Sequence, residues 1–210
     1  MWIDKEKYLE RMKDEKWTPG WDAIRRAFAA VYGRHGKYLP ASRVPSMCSG
    51  LEGFGVYASP NGYTHIVTRG LSQIHPHPDA RGNKSSGWGL ELTIKWPNAN
   101  PSIARAIHIL DKLAERIDVN KDGWVMLFPP CCKVDNAPEE LLGEPGGALG
   151  IVPDTEIPAI DTIHGEVQFR QVISISAQDN AYIARHQNSM AQVLYRLAQE
   201  DANLPFRPIA

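Results

Sequence analysis

The stretch Trp88-Gly89-Leu90-Glu91-Leu92-Thr93-Ile94-Lys95-Trp96 decides the fold. Large apolar side chains occupy every second position, a period that fits a β-strand with one buried face and fits no helix. At about 3.3 Å per residue the stretch would span about 30 Å, enough to cross a whole sheet. We therefore predict that it is the central strand of the domain. Its predicted core face comprises Trp88, Leu90, Leu92, Ile94 and Trp96.

The opposite face of this strand carries Glu91, Thr93 and Lys95. If that face of the sheet is open, the three side chains belong to an exposed binding surface. If other segments cover it, they form a buried row of polar groups that need hydrogen-bond partners. The alternation is compatible with both arrangements.

Outward from this strand, periodicity and turn residues predict helices alternating with short strands. A charged segment at the start, 1–16, forms either a short helix on the domain or an arm, and 17–210 forms one α+β domain. Its sheet is mostly antiparallel and is flanked by helices. Predicted strands cover 51–58, 63–71, 124–128 and 149–152, with a hairpin of 157–163 and 167–175 across His164-Gly165. Predicted helices cover 19–32, 101–118 (capped by Asn100) and one or two segments that begin at the capping pattern Ser176-x-x-Asp179, and loops cover 38–53 and 129–147.

Composition indicates an ordinary globular protein, since 43% of the 210 residues are hydrophobic and 22% are charged. The formal net charge of −1 provides no global field that would attract nucleic acid or an anionic membrane. No signal-peptide core follows Met1, so we expect a cytoplasmic protein. The three cysteines are Cys48, Cys131 and Cys132, and we expect reduced thiols rather than a disulfide framework.

Two segments have the composition of a metal site. His75, His77 and Asp79, with His65 from the preceding strand, offer metal ligands, but the prolines between them stiffen the backbone and splay the side chains. The segment 118–123 begins like a calcium loop, but Pro129 occupies the position that needs a bidentate acid. We favour a solvated loop and a polar turn, with no metal or other cofactor.

Catalytic signatures are also missing from the sequence. It contains no nucleophile elbow, phosphate-binding loop or dinucleotide fingerprint, and no acid, base and nucleophile can be named together. We therefore predict a protein that is not an enzyme. Two alternatives stay open, namely a metal-dependent hydrolase that uses His65, His75, His77 and Asp79, and a homodimeric scaffold that pairs through an edge strand.

Several sequence blocks occur in order along the chain, at 20–24, 55–57, 65–72, 86–93, 148–154 and 160–172. The pairing of Gly70-Leu71-Ser72 with Ser86-Gly87-Trp88-Gly89-x-Glu91-Leu92-Thr93 at this spacing is specific. With these blocks the chain resembles the Suppressor of fused (SUFU) family over roughly residues 18–200.

The resemblance implies a non-enzymatic protein that binds other proteins. Eukaryotic members grip an extended peptide of a transcription factor as an added strand between two domains. This chain resembles the single-domain bacterial members, many of which are thought to be immunity proteins that neutralise a cognate toxin. We therefore expect a protein partner, either a toxin domain or an extended peptide.

This sequence departs from the eukaryotic members at the positions that serve peptide binding there. An aromatic position near the end of the middle helix falls near Arg116, and an acidic-His pair falls in 127–129, where it is absent. Because long loops carry function more often than sheets do, we predict a binding surface in the segments 73–84 and 127–144. The predicted partner-binding residues are Gln73, His75, His77, Arg81, Lys84, Arg116, Trp124, Phe128, Cys131, Cys132, Lys133, Glu139 and Glu140.

Overall fold

The structure, a computed structural model, describes residues 3–33, 36–41, 51–72, 76–77, 85–100, 102–119, 132–134, 137–142, 144–186, 190–200 and 206. Within these ranges the chain forms eight β-strands and five α-helices. The strands are β1 (Lys37–Pro40), β2 (Gly53–Ala58), β3 (Tyr63–Arg69), β4 (Ser85–Pro97), β5 (Cys132–Val134), β6 (Ala148–Pro153), β7 (Ile160–Thr162) and β8 (Gly165–Ile175). The helices are α1 (Lys5–Arg11), α2 (Pro19–Tyr32), α3 (Ala104–Val119), α4 (Ala177–Arg185) and α5 (Met190–Glu200).

All described strands belong to one mixed sheet with β4 at its centre. The strand order is β1-β2-β3-β4-β8-β6-β5, and β7 pairs with the start of β8. Every pair is antiparallel except β4 with β8, which is parallel. This arrangement confirms the predicted α+β class, the mostly antiparallel sheet and the central place of the Trp88–Trp96 stretch.

The first face of the sheet packs against α3. Leu92, Ile94 and Trp96 of β4 share one core cluster with Ile109 and Leu110 of the helix. Burying each of these large apolar side chains is worth about 2 kcal/mol before entropy is subtracted. The predicted core face of β4 is therefore confirmed. None of the described helices is long and apolar enough to cross a lipid bilayer.

The second face of the sheet is also covered. Trp21, Ile24 and Phe28 of α2 pack on one part of it, in a cluster with Phe169 of β8. Helices α4 and α5 cover another part in a separate cluster. Glu91, Thr93 and Lys95 are consequently buried, each with 0% exposure. Of the two arrangements left open by the alternation, the buried polar row is the one that forms.

Glycines bend the start of β4. The pairing of β4 with β8 shifts register between Ser85 and Leu90. Gly87 and Gly89, which lie in this interval, have φ of 54° and 70°, a region that side chains with a Cβ rarely adopt. The Ser-Gly-Trp-Gly block is thus an irregular part of β4, where the regular pairing with β8 is interrupted.

Several predicted boundaries were wrong. The segment predicted as a loop over 38–53 contains the end of β1, and the irregular segment over 129–147 contains β5 and a 3₁₀ turn, Glu139–Leu141. Helix α3 begins at Ala104, after the predicted start. Thr162 pairs with Gly165, so the hairpin turn consists of residues 163–164. The predicted strand at 124–128 and most of the calcium-like segment lie outside the described residues.

Helix α1 lies on the domain and is anchored by Tyr8, which is fully buried. The Tyr8 hydroxyl lies 3.0 Å from Nε2 of His164, in the β7–β8 turn. It also bonds the backbone N–H and C=O of His77. One hydroxyl therefore joins α1, the hairpin turn and the segment that contains His77.

Replacing Tyr8 with Phe should lower the free energy of unfolding by about 1–2 kcal/mol, because the substitution removes the hydrogen bonds that the Tyr8 hydroxyl makes to His164 and His77. Urea denaturation followed by circular dichroism measures the change. The matched control is Tyr195→Phe, since Tyr195 is 58% exposed on α5. Equal stability of the two variants would contradict this account of α1.

Candidate functional site

The two edges of the sheet are the places where another strand could be added. Strand β1 lies at one edge and β5 at the other. An edge strand presents backbone N–H and C=O groups outward, and an extended segment of a second protein can pair with them.

The β1 edge is poorly suited to pairing. The N–H of Ala41 donates to the carbonyl of Glu52, so the alternate residues Leu39 and Lys37 bond to β2 in the same way. Tyr38 and Pro40 then direct their backbone groups outward. Because proline has no N–H, this outer edge offers one donor, at Tyr38. The β1 edge is therefore blunted against an added strand.

The β5 edge carries no proline within Cys132–Val134 and is positioned by two faces of the fold. Lys133 pairs with Gly150 of β6, and Val134 pairs with Leu149. The Val134 side chain packs against the α3 core. On the other face, Nζ of Lys133 donates to Oδ1 of Asn180 in α4 at 3.0 Å. These contacts fix the position of β5, which is the last of the described strands on this side of the sheet.

Four predicted partner-binding residues lie next to this edge in the chain. Cys132, which is half-buried, and Lys133 belong to β5 itself. Glu139 and Glu140 are exposed on the 3₁₀ turn, which is tied to α3 because Arg105 donates to the carbonyls of Glu140 and Leu142. These four residues therefore lie on β5 or shortly after it in the chain, and their role in binding stays a prediction.

Other predicted residues are placed separately or lie outside the described ranges. Arg116 is half-buried near the end of α3. His77 is exposed beside α1, where its backbone bonds Tyr8. The predicted residues outside the described ranges are Gln73, His75, Arg81, Lys84, Trp124, Phe128 and Cys131.

The buried polar row of β4 meets the β6–β7 connection in a compact charge cluster. This buried charge cluster consists of His65, Lys95, Asp154 and Glu156. Oδ2 of Asp154 lies 2.9 Å from Nε2 of His65 and accepts the Thr93 hydroxyl at 2.5 Å. Nζ of Lys95 lies 3.4 Å from Oε2 of Glu156. The cluster fastens the β6–β7 connection to the second face of the sheet.

Tyr32 connects the cluster to the end of α2. Its hydroxyl donates to Glu156 and lies 2.7 Å from Nδ1 of His65. The two ring nitrogens of His65 therefore face different partners, Nδ1 the Tyr32 hydroxyl and Nε2 the Asp154 carboxylate.

Burial and neighbouring charges act in opposite directions on the carboxyl groups of the cluster. Burial raises the pKa of Asp154, but the charge and hydrogen bond of His65, with further bonding from Thr93, hold that pKa well below its ordinary value. For Glu156, burial is likewise outweighed by hydrogen bonds from Tyr32 and Tyr63, so its pKa is also lowered. Both groups are therefore ionised at neutral pH.

The metal-ligand set considered from the sequence is divided in the structure. His65 uses both ring nitrogens within the buried charge cluster, whereas His77 lies beside Tyr8. His75 and Asp79 lie outside the described residues. Among the residues that the structure describes, no three His, Cys, Asp or Glu side chains are grouped to hold a metal ion.

Glu91 joins the two sequence blocks that carry the family resemblance. Its Oε1 accepts the N–H of Ser72 at 3.0 Å, the hydroxyl of Ser72 at 2.5 Å and the N–H of Gly70 at 3.3 Å. Its Oε2 accepts the hydroxyl of Thr68 at 2.6 Å. The Gly-Leu-Ser block and the Glu-Leu-Thr block are therefore the two halves of one hydrogen-bonded unit.

The sequence reasoning did not anticipate Tyr32, Asp154 or Glu156 as partners of the β4 polar row. One signal was present, because Asp154 directly follows a predicted apolar strand and ends one of the family-like blocks. An aspartate at that place can cap the following turn, and Oδ1 of Asp154 does accept the N–H groups of Glu156 and Ile157.

Comparison with known proteins places the chain in one fold. Residues 49–208 match the family model described as Suppressor of fused protein (SUFU). The structure is similar to a chain of the Sufu-Fu complex crystal structure, with a TM-score of 0.69 and 18% identity over 91% of each chain. It is also similar to Drosophila Suppressor of Fused, with a TM-score of 0.69 and 19% identity over 94% of this chain and 52% of that chain. The chain thus spans about half the length of the Drosophila protein. No curated protein sequence matches it.

Proposed function

Because the chain belongs to the Suppressor of fused family, we propose that it is a protein-binding module that takes up an extended segment of a partner protein at the β5 edge. The resemblance predicted from the sequence blocks is confirmed at the level of the family and the fold. The proposal concerns the partner, the surface and the role.

The difference between the two sheet edges carries the proposal. Pro40 limits donors at β1, whereas Lys133 and Val134 each have an N–H, and only one of two consecutive N–H groups points into the β5–β6 ladder. The exposed acids Glu139 and Glu140 follow β5 in the chain, on the 3₁₀ turn. A segment paired with β5 would extend a sheet whose core is already complete, so little of the domain would need to rearrange.

The proposed partner is a toxin domain that the chain binds and neutralises as an immunity protein. Support comes from the resemblance to single-domain bacterial members and from the protein complex that one structural relative forms, Sufu with Fu. Co-expression with the product of the adjacent gene tests this role. We expect copurification of the two proteins and protection of growth, and the absence of both would refute the toxin assignment.

A second copy of this chain is the competing occupant of the β5 edge. Light scattering of the purified protein distinguishes the two occupants. A mass that rises from that of one chain to that of two with concentration would indicate the homodimeric scaffold. A mass that stays at one chain leaves the edge available to a different protein.

Proline substitution should locate the binding edge. Of Lys133→Pro and Val134→Pro, one removes an N–H from the β5–β6 ladder and should cost about 3 kcal/mol of stability, whereas the other removes the outward N–H and should stay folded. We expect the folded variant to bind the partner at least 10-fold more weakly, as measured by calorimetry, because a backbone bond to the partner is lost and the ring obstructs pairing.

The matched controls are Lys133→Ala and Val134→Ala, which shorten the same side chains and keep both N–H groups. Lys133→Ala also removes the bond to Asn180, so it reports what that contact contributes. Binding by the folded proline variant that equals binding by its alanine control would exclude strand pairing at β5.

A further inference from the structure

Glu91 and Asp154 are both buried acids on the second face of the sheet or beside it, but their charges are balanced differently. Asp154 faces His65 and Lys95. The bonds to Glu91, in contrast, come from neutral donors, namely the groups of Thr68, Gly70 and Ser72 described above. Within the part of the chain that the structure describes, no cation bonds the Glu91 carboxylate.

The charged side chains on the elements around Glu91 are directed to other partners. Arg69 of β3 pairs with Glu52 and stacks on the rings of Trp21 and Tyr38. On β4 itself, Lys95 belongs to the buried charge cluster. On β8, Arg170 donates to Gln168, and the residue that pairs with Glu91 is Phe169. The carboxylate is therefore held by hydrogen bonds rather than by an opposite charge.

The four donors suit an ionised carboxylate, which only accepts hydrogen bonds. If one oxygen takes up a proton, its new O–H must donate to the hydroxyl of Thr68 or Ser72, and that bond reverses. The Thr68 oxygen already accepts the N–H of Leu92 at 2.8 Å. The N–H groups of Gly70 and Ser72 cannot reverse, so they would bond a neutral carboxyl, which is a weaker acceptor.

We propose that Glu91 is a proton-controlled clasp on the turn Gly70–Ser72. The ionised carboxylate fixes this turn at the end of β3, and the protonated carboxyl loosens it. The turn is additionally bound to β4 by the N–H of Trp88, which donates to the carbonyl of Leu71 at 3.0 Å, so loosening stays local.

The pKa of Glu91 lies in the pH range in which such a clasp would respond. Burial raises the pKa of Glu91 to about 7, and the bonds from Ser72, Thr68 and Gly70 oppose this rise. Because a carboxyl with this pKa changes its charge near neutral pH, modest acidification changes the grip on the turn.

Nuclear magnetic resonance of the isotope-labelled full chain between pH 5 and 9 tests the clasp without any partner. We expect the Glu91 carboxyl carbon and the amides of Gly70 and Ser72 to titrate together with a midpoint near 7. Hydrogen exchange at the two amides, corrected for the intrinsic effect of pH, should be faster at pH 5.5 than at pH 8. The proposal would be overturned if the amide signals of Gly70 and Ser72 did not change as Glu91 titrates, or if the Glu91 carboxyl titrated at its ordinary pKa.

Two serine variants make this test specific. Ser72→Ala removes a donor to the ionised form, so the Glu91 midpoint should rise by about one pH unit. Ser59→Ala, at the other end of β3, should leave the midpoint unchanged, since the Ser59 hydroxyl bonds Asn61. A midpoint that is the same in both variants would contradict the clasp, while the proposed β5 binding edge would be unaffected.

Discussion

Replacing Asp154 with Ala should lower the free energy of unfolding by about 4 kcal/mol, since removing one member of a buried ion pair leaves its partners uncompensated. His65 and Lys95 would then share Glu156 as their remaining carboxylate. The hydroxyl of Thr93 and the N–H groups of Glu156 and Ile157 would also lose their acceptor. The loss combines a charge effect with the loss of a turn.

Asp154→Asn separates these two contributions. The amide retains an oxygen for the two turn N–H groups but removes the negative charge that faces His65. Its stability should therefore lie between those of the native protein and of Asp154→Ala. Urea denaturation at pH 7 measures all three.

The same substitution at an exposed aspartate provides the control. Asp161 lies on β7 with its side chain exposed, and Asp161→Ala should change stability by about 0.5 kcal/mol or less. If Asp154→Ala were as mild as Asp161→Ala, the buried charge cluster would have no role in holding the β6–β7 connection.

Replacing Glu91 with Gln should remove a pH dependence of stability worth about 3 kcal/mol between pH 4.5 and pH 7. The pKa of Glu91 is raised to about 7 in the folded protein from an ordinary value of 4.5. In this interval the folded protein holds a proton that the unfolded chain has released. Stability contributed by this group is therefore greatest below pH 4.5 and falls as the pH rises towards 7, because burial disfavours the charged form by more than the hydrogen bonds of the turn favour it.

Urea denaturation of the native protein and of Glu91→Gln at half-unit steps of pH measures this effect. The difference between the two curves isolates Glu91, because the other titrating groups contribute to both. Glu10→Gln, an exposed position on α1, is the control and should give a curve parallel to that of the native protein. Parallel curves for Glu91→Gln as well would contradict the raised pKa.

Strong local patterns explain which parts of the fold were predictable. The two-residue period of Trp88–Trp96 reports directly on the buried face of a strand. Helix α2 has the bounds Pro19–Tyr32 that its apolar spacing and its flanking Pro and Gly predict. The hydroxyl of Ser176 accepts the N–H of Asp179 at 3.0 Å, as the capping pattern predicts. In each case short-range interactions determine the structure.

The missed edge strands lack any such local pattern. Strand β1 has four residues and ends in proline, and β5 has three residues, so neither is long enough to show a period. Their strand conformation comes from pairing with β2 and β6, and both of these strands come later in the chain. The proposed binding edge is β5, so the sequence pattern is weak at the very strand that we propose binds the partner.

The environment of the polar row depended on the whole fold. Nothing near Glu91, Thr93 or Lys95 in the chain indicates that α2 and the β6–β7 connection cover them. The sequence blocks did contain most of the partners, including Ser72, His65 and Asp154. What the blocks could not show is that these residues bond one another, because Asp154 reaches His65 and Thr93 only when β6 pairs with β8 and β8 pairs with β4.

That parallel pairing also governs how the chain is made. When Trp88–Trp96 leaves the ribosome, β3 is already available on one side, but the strand on the other side, Gly165–Ile175, has still to be synthesised. At ordinary rates of translation the wait lasts roughly ten seconds. During that time the nascent chain displays a long β-strand with one open edge and an apolar face, the combination most prone to misassembly with neighbouring chains. The central strand of the finished sheet is therefore open to wrong pairing during synthesis.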